Sequence, residues 1–321
     1  MQQPEATAGL IGLGIIGSRV AACLRKSGYQ VWLWNRTPRP EPNFLSSPNE
    51  VAEAARHIQI FVSNGEALLS VVRAMAPALT PAHIILNHAT VSPAEAREAA
   101  AIVHETHAAF LDAPFTGSRD AAGSGQLVYY VGGDPQAIQS ATPQLQVSSK
   151  QILEVGAVGQ AAALKIATNL IAANAVASLS EALALLDRHG VDLNKLAPAM
   201  EHNAARSGVF DMKLPCMIAG DFEPRFALKH MFKDLQLALA MAEDKDLELP
   251  AASAFAGVIM AGLQRGWGDN DFSVVSRFYD YPGRGHASPP TPVPPTTQPE
   301  LPQESIPPTL KNLWGLLRRK K

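Results

Sequence analysis

Apolar positions along this chain keep two different periods, and the change between them divides it. Ala8–Ile11 is a short apolar run, Ser18–Lys26 repeats its apolar residues at helical spacing, and Tyr29–Trp34 alternates like a strand. Gly28 stands where a helix-ending glycine belongs. Further strand patterns fall at His57–Val62, His83–Leu86, Ala109–Asp112 and Leu127–Val131, with helix-like segments between the earlier ones. Strand and helix in alternation predict a mostly parallel sheet covered by helices.

From about Gly159 only the helical period remains. Gln160–His189 is an unusually long helical pattern, rich in Ala and Leu and closed by Gly190. Leu193–Asn203, Arg225–Asp244 and Ala251–Arg265 follow as helices, and no strand pattern appears after about residue 155. The expected organisation is an α/β domain over 1–158 and an all-α domain over 159–285. Beyond Tyr281 the pattern stops: ten of the 25 prolines lie between Pro282 and Pro308. Residues 286–308 therefore read as a Pro-rich linker without a core, reaching on the order of 70–80 Å at polyproline spacing. In the tail, 309–321, Leu310, Leu313, Trp314 and Leu317 share one helical face ahead of four cations. Two readings stay open for it: a weak contact with a membrane surface or a protein groove, and a tail with no stable partner.

Composition changes this picture little. The 321 residues are 47% apolar and 17% charged, a globular balance with room for two cores. A net charge of −2 gives no electrostatic case for specific nucleic-acid binding. Cys23 and Cys216 fit no metal spacing and read as buried thiols in a reducing compartment. Met1–Glu5 lacks the features of a secretory signal. Leu170–Leu186 is interrupted by Asn174, Ser178, Ser180 and Glu181, so it reads as a buried helix rather than a membrane span. A cytoplasmic location is the resulting expectation.

Candidate chemistry begins in the first turn. Gly12, Leu13, Gly14, Ile15, Ile16 and Gly17 follow a strand and open a helix, the setting of a dinucleotide-binding turn in a Rossmann-type doubly wound sheet. Gly12 suits the tight turn, Gly14 lets backbone approach a pyrophosphate, and Gly17 permits close helix–strand packing. After the second strand stand Asn35, Arg36 and Thr37 in place of the acid that holds an NAD ribose. Arg36 can pair with a 2′-phosphate and its neighbours can donate to it, so NADP(H) is favoured over NAD(H). Lys165 and Asn169, four residues apart, share a helix face and set an acid–base group beside an orienting amide. His104 and His107 have a spacing that suggests a metal, but no further ligands accompany them, so they read as polar residues near a helix end and no metal is expected.

With these blocks in hand the chain resembles the β-hydroxyacid dehydrogenase family. The resemblance covers most of 8–281: the glycine turn, Asn87–Pro93, Asp112–Leu127, Gly156–Asn169 and Lys233–Ala238. It implies a substrate-carboxylate pocket at Thr116, Gly117 and Ser118, with Thr116 in place of the usual serine and Ser118 in place of a glycine. It places Ser63, Thr90 and Lys233 near the cofactor, Phe226 and Asp234 at the substrate, and Lys165 and Asn169 in catalysis. Ala89 stands where the family usually has Ser, His88 is given a structural turn role, and Arg119 and Asp120 a solvated pair at the pocket rim.

Thr116–Ser118 and Phe226–Asp234 are similar to the glyoxylate and succinic semialdehyde reductase branch. Asp112 and Val131–Gly133 look more like hydroxyisobutyrate dehydrogenases. The implied activity is NADPH-dependent reduction of a small carboxylate-bearing aldehyde, with Lys165 as general acid. The alternatives are oxidation of a 3-hydroxyisobutyrate-type acid and a non-catalytic NADP-binding scaffold acting through its tail. Lys165 argues against an imine reductase, and the apolar Gln160–His189 helix implies a homodimer or homotetramer.

Overall fold

The computed structural model of the protein describes residues 6–279. The Pro-rich linker and basic tail expected at 286–308 and 309–321 lie outside these residues. Strands and helices alternate from the start: β1 (Thr7–Ile11), α1 (Gly17–Lys26), β2 (Gln30–Trp34), α2 (Pro48–Ala54), β3 (His57–Ile60), α3 (Gly65–Met75), β4 (Ile84–Asn87), α4 (Pro93–His104) and β5 (Ala109–Asp112). There follow β6 (Phe115–Thr116), α5 (Arg119–Gly123), β7 (Leu127–Gly132), α6 (Pro135–Gln146) and β8 (Ser149–Gly156). The helical part comprises α7 (Gln160–Arg188), α8 (Leu196–Met200), α9 (Gly208–Ala219), α10 (Leu228–Glu243) and α11 (Pro250–Gln264), closed by a 3-10 segment Phe272–Tyr279.

The sheet order is β2-β1-β3-β4-β5-β7-β6, and β8 pairs with β7. The first five strands are parallel, and their last residues fall in one row, Trp34–Ile11–Ile60–Asn87–Asp112. Every loop leaving this row therefore opens on the same edge, where doubly wound sheets bind ligands. Apolar residues on the two sides of the sheet feed separate cores: Leu10, Leu33, Leu86 and Leu111 on one side, Ile11, Ile58, Ile60 and Ile85 on the other. Both faces are covered by helices, so these strands read as nearly continuous apolar runs.

Beyond β5 the sheet departs from the sequence pattern. β7 runs antiparallel to both β5 and β6, and Pro114 O accepts from Tyr130 N at 2.9 Å, so the β5–β6 arm keeps one register across the proline. β8 was not legible: it is an edge strand whose Leu153 is exposed, and its residues lack clean alternation. α9 likewise has no counterpart in the sequence pattern, since Pro215 inside it reads as a breaker. The Leu193–Asn203 pattern resolves into a 3-10 turn, Leu193–Lys195, and the short α8.

Helix α7 runs 29 residues, roughly 43 Å at helical rise. Among the described residues it is the one helix long and apolar enough to cross a membrane. Only one stripe of it is buried, however, through Ala162, Ile166, Ala173, Val176 and Leu183, while Ile171 and Leu185 are exposed. The single chain thus covers only part of this apolar helix. Cys23 and Cys216 are free and half-buried rather than buried.

Two buried carboxylates fasten the helical part. Asp112, at the end of β5, accepts from the N–H groups of Gly159 (3.2 Å) and Ala162 (2.8 Å), and so ties the head of α7 to the sheet. Gly159 has φ of 92°, and an added Cβ would lie 2.8 Å from Arg97 Nη1, so glycine is required at this junction. Asp271 is 1% exposed and bonded to Lys213 Nζ at 2.7 and 2.8 Å, to the N–H groups of Arg225, Phe226 and Ser273, and to the Ser273 hydroxyl. Removing one partner of such a pair strands the other and costs about 3–5 kcal/mol.

Burial pushes the Asp112 carboxyl up to about 6, against the opposing pull of the α7 N–H groups. Because the folded state favours its protonated form, Asp112 contributes stability at low pH that is lost as pH rises through about 6. That loss is about 2–3 kcal/mol between pH 4 and pH 8. Asp112→Asn keeps an acceptor without the charge, so its melting temperature should gain on the wild type as pH rises over this window. Thermal melts at several pH values check this, and a constant difference refutes it.

Candidate active site

The glycine turn after β1 shows three distinct backbone problems. Gly12 has φ of 96°, its N–H donates to Trp34 O at 2.9 Å, and an added Cβ would lie 2.0 Å from Phe61 O. At Gly17 an added Cβ would lie 2.0 Å from Gly12 O. Gly14 is exposed, and a Cβ there would meet nothing within 4 Å. The first and third glycines are demanded by the protein's own packing; the second leaves open space. α1 has no side-chain cap and no acid in its first turn, and the N–H groups of Ile15 and Ile16 find no partner among the described residues. Unpaired N–H groups at a helix head beside open backbone fit a pyrophosphate.

Asn35 acts as a strut beneath this turn. Its Oδ1 accepts from Leu13 N at 2.9 Å and its Nδ2 donates to Thr37 O at 2.8 Å, so its amide is spent mainly on backbone rather than offered to a ligand. Arg36 and Thr37 are exposed at the end of β2. A cavity of about 410 Å³ lined by Trp34, Asn35, Arg36, Phe44 and Leu45 opens beside them. Ser63, exposed after β3, and Thr90, half-buried after β4, stand on the same edge of the sheet. His88 is fully buried, its Nδ1 is 2.6 Å from Ala113 O, and its ring stacks on Phe61 at 4.4 Å. Burial pushes it down to about 4, so it is a neutral floor residue.

Facing this edge, one turn into α7, is Lys165, 9% exposed. Its ammonium donates to Asn169 Oδ1 at 2.9 Å, and Asn169 Nδ2 donates to Asp234 Oδ2 at 2.6 Å. Lys233 Nζ lies 3.1 Å from Asp234 Oδ1 and donates to Thr90 O at 2.5 Å. Lys165, Asn169, Asp234, Lys233 and Thr90 thus form one chain across the cleft between the sheet domain and α10. Burial lowers the Lys165 pKa to about 8, with Asp234 opposing and Lys233 assisting. An amine so tuned can give or take a proton near neutrality. Asp234 is 2% exposed and its carboxylate faces Asn169 and Lys233.

Gly117 has φ of 140°, and a Cβ there would lie 2.8 Å from Leu127 Cδ2, so the turn after β6 needs glycine. Thr116 is half-buried, and its hydroxyl has no hydrogen bond among the described residues. Ser118 caps α5, accepting from Ala121 N at 3.2 Å, so its side chain serves a helix start. Arg119 lies 3.3 Å from the exposed Asp120 and also reaches Glu223 at 3.5 Å on the other side of the cleft. Phe226 is half-buried between Phe272 and His230, its backbone held by Asp271. His104 and His107 are exposed at the end of α4, and no group of three metal-ligating side chains occurs among the described residues. Asp112, Lys213, Asp271 and His230 have no site role in the sequence pattern, although Asp112 stands beside the carboxylate-pocket turn and His230 within the Phe226–Asp234 block.

The chain is similar to known proteins over both of its parts. Residues 7–156 match the NAD binding domain of 6-phosphogluconate dehydrogenase, and 159–279 match the NAD-binding domain of NADP-dependent 3-hydroxyisobutyrate dehydrogenase. Glyoxylate/succinic semialdehyde reductase 2 (chloroplastic) of Arabidopsis thaliana is 31% identical over 83% of this chain and 77% of that protein. The chain belongs to the β-hydroxyacid dehydrogenase family. Glyoxylate/succinic semialdehyde reductase 1 of the same plant is 29% identical over 83% of this chain and 96% of that protein. The solved Mycobacterium tuberculosis 3-hydroxyisobutyrate dehydrogenase with L-serine superposes with a TM-score of 0.78 at 25% identity, covering 86% of this chain and 99% of that one. As a member of the family, this β-hydroxyacid dehydrogenase is an oxidoreductase that uses a nicotinamide cofactor and acts on CH–OH groups.

The glycine turn predicts a separation of effects. Gly12→Ala should destabilise the fold by at least about 2 kcal/mol, because both its φ and Phe61 O oppose a side chain. Gly14→Ala should melt within a few degrees of the wild type and still bind the nicotinamide dinucleotide at least tenfold more weakly. Thermal melts and calorimetric titration read the two effects; tight binding by Gly14→Ala would remove Gly14 from the pyrophosphate site.

Proposed function

We propose that the chain is an NADPH-dependent reductase of a small carboxylate-bearing aldehyde, glyoxylate or succinic semialdehyde, with Lys165 as the proton donor. The observation that carries this reading is the buried Lys165 ammonium, lowered to about 8 and held by Asn169 at 2.9 Å. When bound, the reduced nicotinamide supplies a hydride to the carbonyl carbon. The carbonyl oxygen takes its proton from Lys165 Nζ, and the resulting neutral amine is reprotonated from solvent. Asn169 fixes the direction of the Nζ–H groups, while the free Thr116 hydroxyl and the Gly117 N–H receive the carboxylate.

Exposed Arg36 at the end of β2, with no acid in Asn35–Thr37, supports NADPH over NADH. The exposed Ile171 and Leu185 on α7 support a homodimer or homotetramer in which a second copy covers that stripe. Light scattering at micromolar concentration reads the assembly state, and a monomer overturns this part.

The deciding assay is NADPH oxidation with glyoxylate and succinic semialdehyde, run beside NADH and beside Lys165→Ala. Turnover of one aldehyde is expected, faster with NADPH, and reduced at least a hundredfold in Lys165→Ala with NADPH binding retained. A general acid must be protonated to act. The reduction rate should therefore be level below about pH 8 and fall above it, a limb absent from the residual activity of Lys165→Ala. Equal rates for the two proteins would sink the proposal.

A further inference from the structure

A carboxylate stands at position 234 of α10 although its buried neighbours on that helix, Met231, Leu235 and Ala238, are apolar. Asp234 is 2% exposed, so water neither solvates its charge nor screens it. Its Oδ2 accepts from Asn169 Nδ2 of α7 at 2.6 Å. Its Oδ1 lies 3.1 Å from Lys233 Nζ but accepts no hydrogen bond among the described residues, since that ammonium donates to Thr90 O. A buried charge with so few partners costs stability, and packing alone would favour an apolar side chain here.

What the charge does to Asn169 follows from hydrogen-bond chemistry. A carboxylate only accepts, an ammonium only donates, and an amide has one end of each kind. Between Asp234 and Lys165 the Asn169 amide has a single orientation that satisfies both neighbours. Nδ2 turns to Asp234, and Oδ1 turns to Lys165 Nζ at 2.9 Å. The reverse orientation would set N–H against N–H and oxygen against oxygen.

We propose that Asp234 is a positioning residue, whose carboxylate fixes the direction of the Asn169 amide and through it the direction of the Lys165 ammonium. The inference rests on the reading of Lys165 as proton donor and deepens it. The same carboxylate also acts on the lysine at longer range. Burial drives the proton off Lys165, and of the two charges on α10 Asp234 opposes this while Lys233 assists it. From the sheet side, Asp112 of β5 bonds to Gly159 and Ala162 at the head of α7, and Arg97 of α4 approaches Gly159. A neutral residue at 234 therefore removes a charge that helps keep Lys165 protonated, and it frees the amide to turn.

Titration of Lys165 in the full-length protein tests this, by NMR with lysine labelled at Cε and the signal assigned against Lys165→Arg. The wild-type midpoint should fall near 8. In Asp234→Asn, which keeps the size and shape of the side chain, it should lie at least about one pH unit lower. Asp234→Glu keeps a carboxylate and should recover most of the difference, and Lys233→Met should move the midpoint the other way. In turnover, the alkaline limb of kcat should move down with the midpoint in Asp234→Asn. That shift cuts kcat about fivefold at pH 8, with KM changed by less than about twofold. An unmoved midpoint in Asp234→Asn overturns the assignment, and so does a loss confined to KM, which would make Asp234 a substrate ligand. The titration judges Asp234 whether or not any aldehyde is turned over. NADPH oxidation by the wild type judges the reductase reading separately.

Discussion

An ammonium group held nine-tenths out of water is the constraint around which this molecule is arranged. Lys165 sits in an otherwise Ala- and Leu-rich helix, and an isolated charge there would cost several kcal/mol. The protein does not neutralise it with a carboxylate in direct contact. An amide stands between: Asn169 accepts from the lysine and donates to Asp234, which is shared with Lys233. The lysine is thereby left only partly compensated, and its pKa falls to about 8 instead of being held high by a close ion pair. A direct Asp–Lys contact would bury the charge more comfortably and make the proton harder to give away.

Much else follows from keeping that amine in place against the sheet edge. Asp112 clamps the head of α7 to the end of β5, one turn before Lys165. Lys233 ties α10 to the loop after β4. Asp271 and Lys213 secure the segment just before α10, at Arg225 and Phe226. Asp112, Lys233 and the Asp271–Lys213 pair thus serve geometry, and each sits where a helical element meets another part of the chain.

The legible part of this arrangement was the part written in local pattern. Alternation over Gly9–Trp34 and the three glycines placed the first strand, turn and helix within a residue or two. The spacing of Lys165 and Asn169 announced their bond because four residues of helix leave two side chains no other relation. The reversal of β7 was not legible, since an antiparallel arm after β5 depends on how Pro114 is bridged. Nor was the role of Asp234, whose partners are 65 and one residues away. Lys213 and Asp271 left no trace in pattern at all. Their pairing over 58 residues is a tertiary fact, and each alone reads as a surface charge.

The bonds that frame the substrate side terminate largely on backbone. Asp271 receives the N–H groups of residues 225 and 226, and Lys233 finds the carbonyl rather than the side chain of residue 90. A main-chain atom is supplied whatever residue occupies the position, proline at an N–H donor excepted. The side chains at 90, 225 and 226 can therefore be exchanged without loosening the frame that positions them. The frame and the shape of the cleft are in this sense separate inheritances, so the cleft's lining can change by single substitutions that leave the Lys165–Asn169–Asp234 chain of contacts untouched.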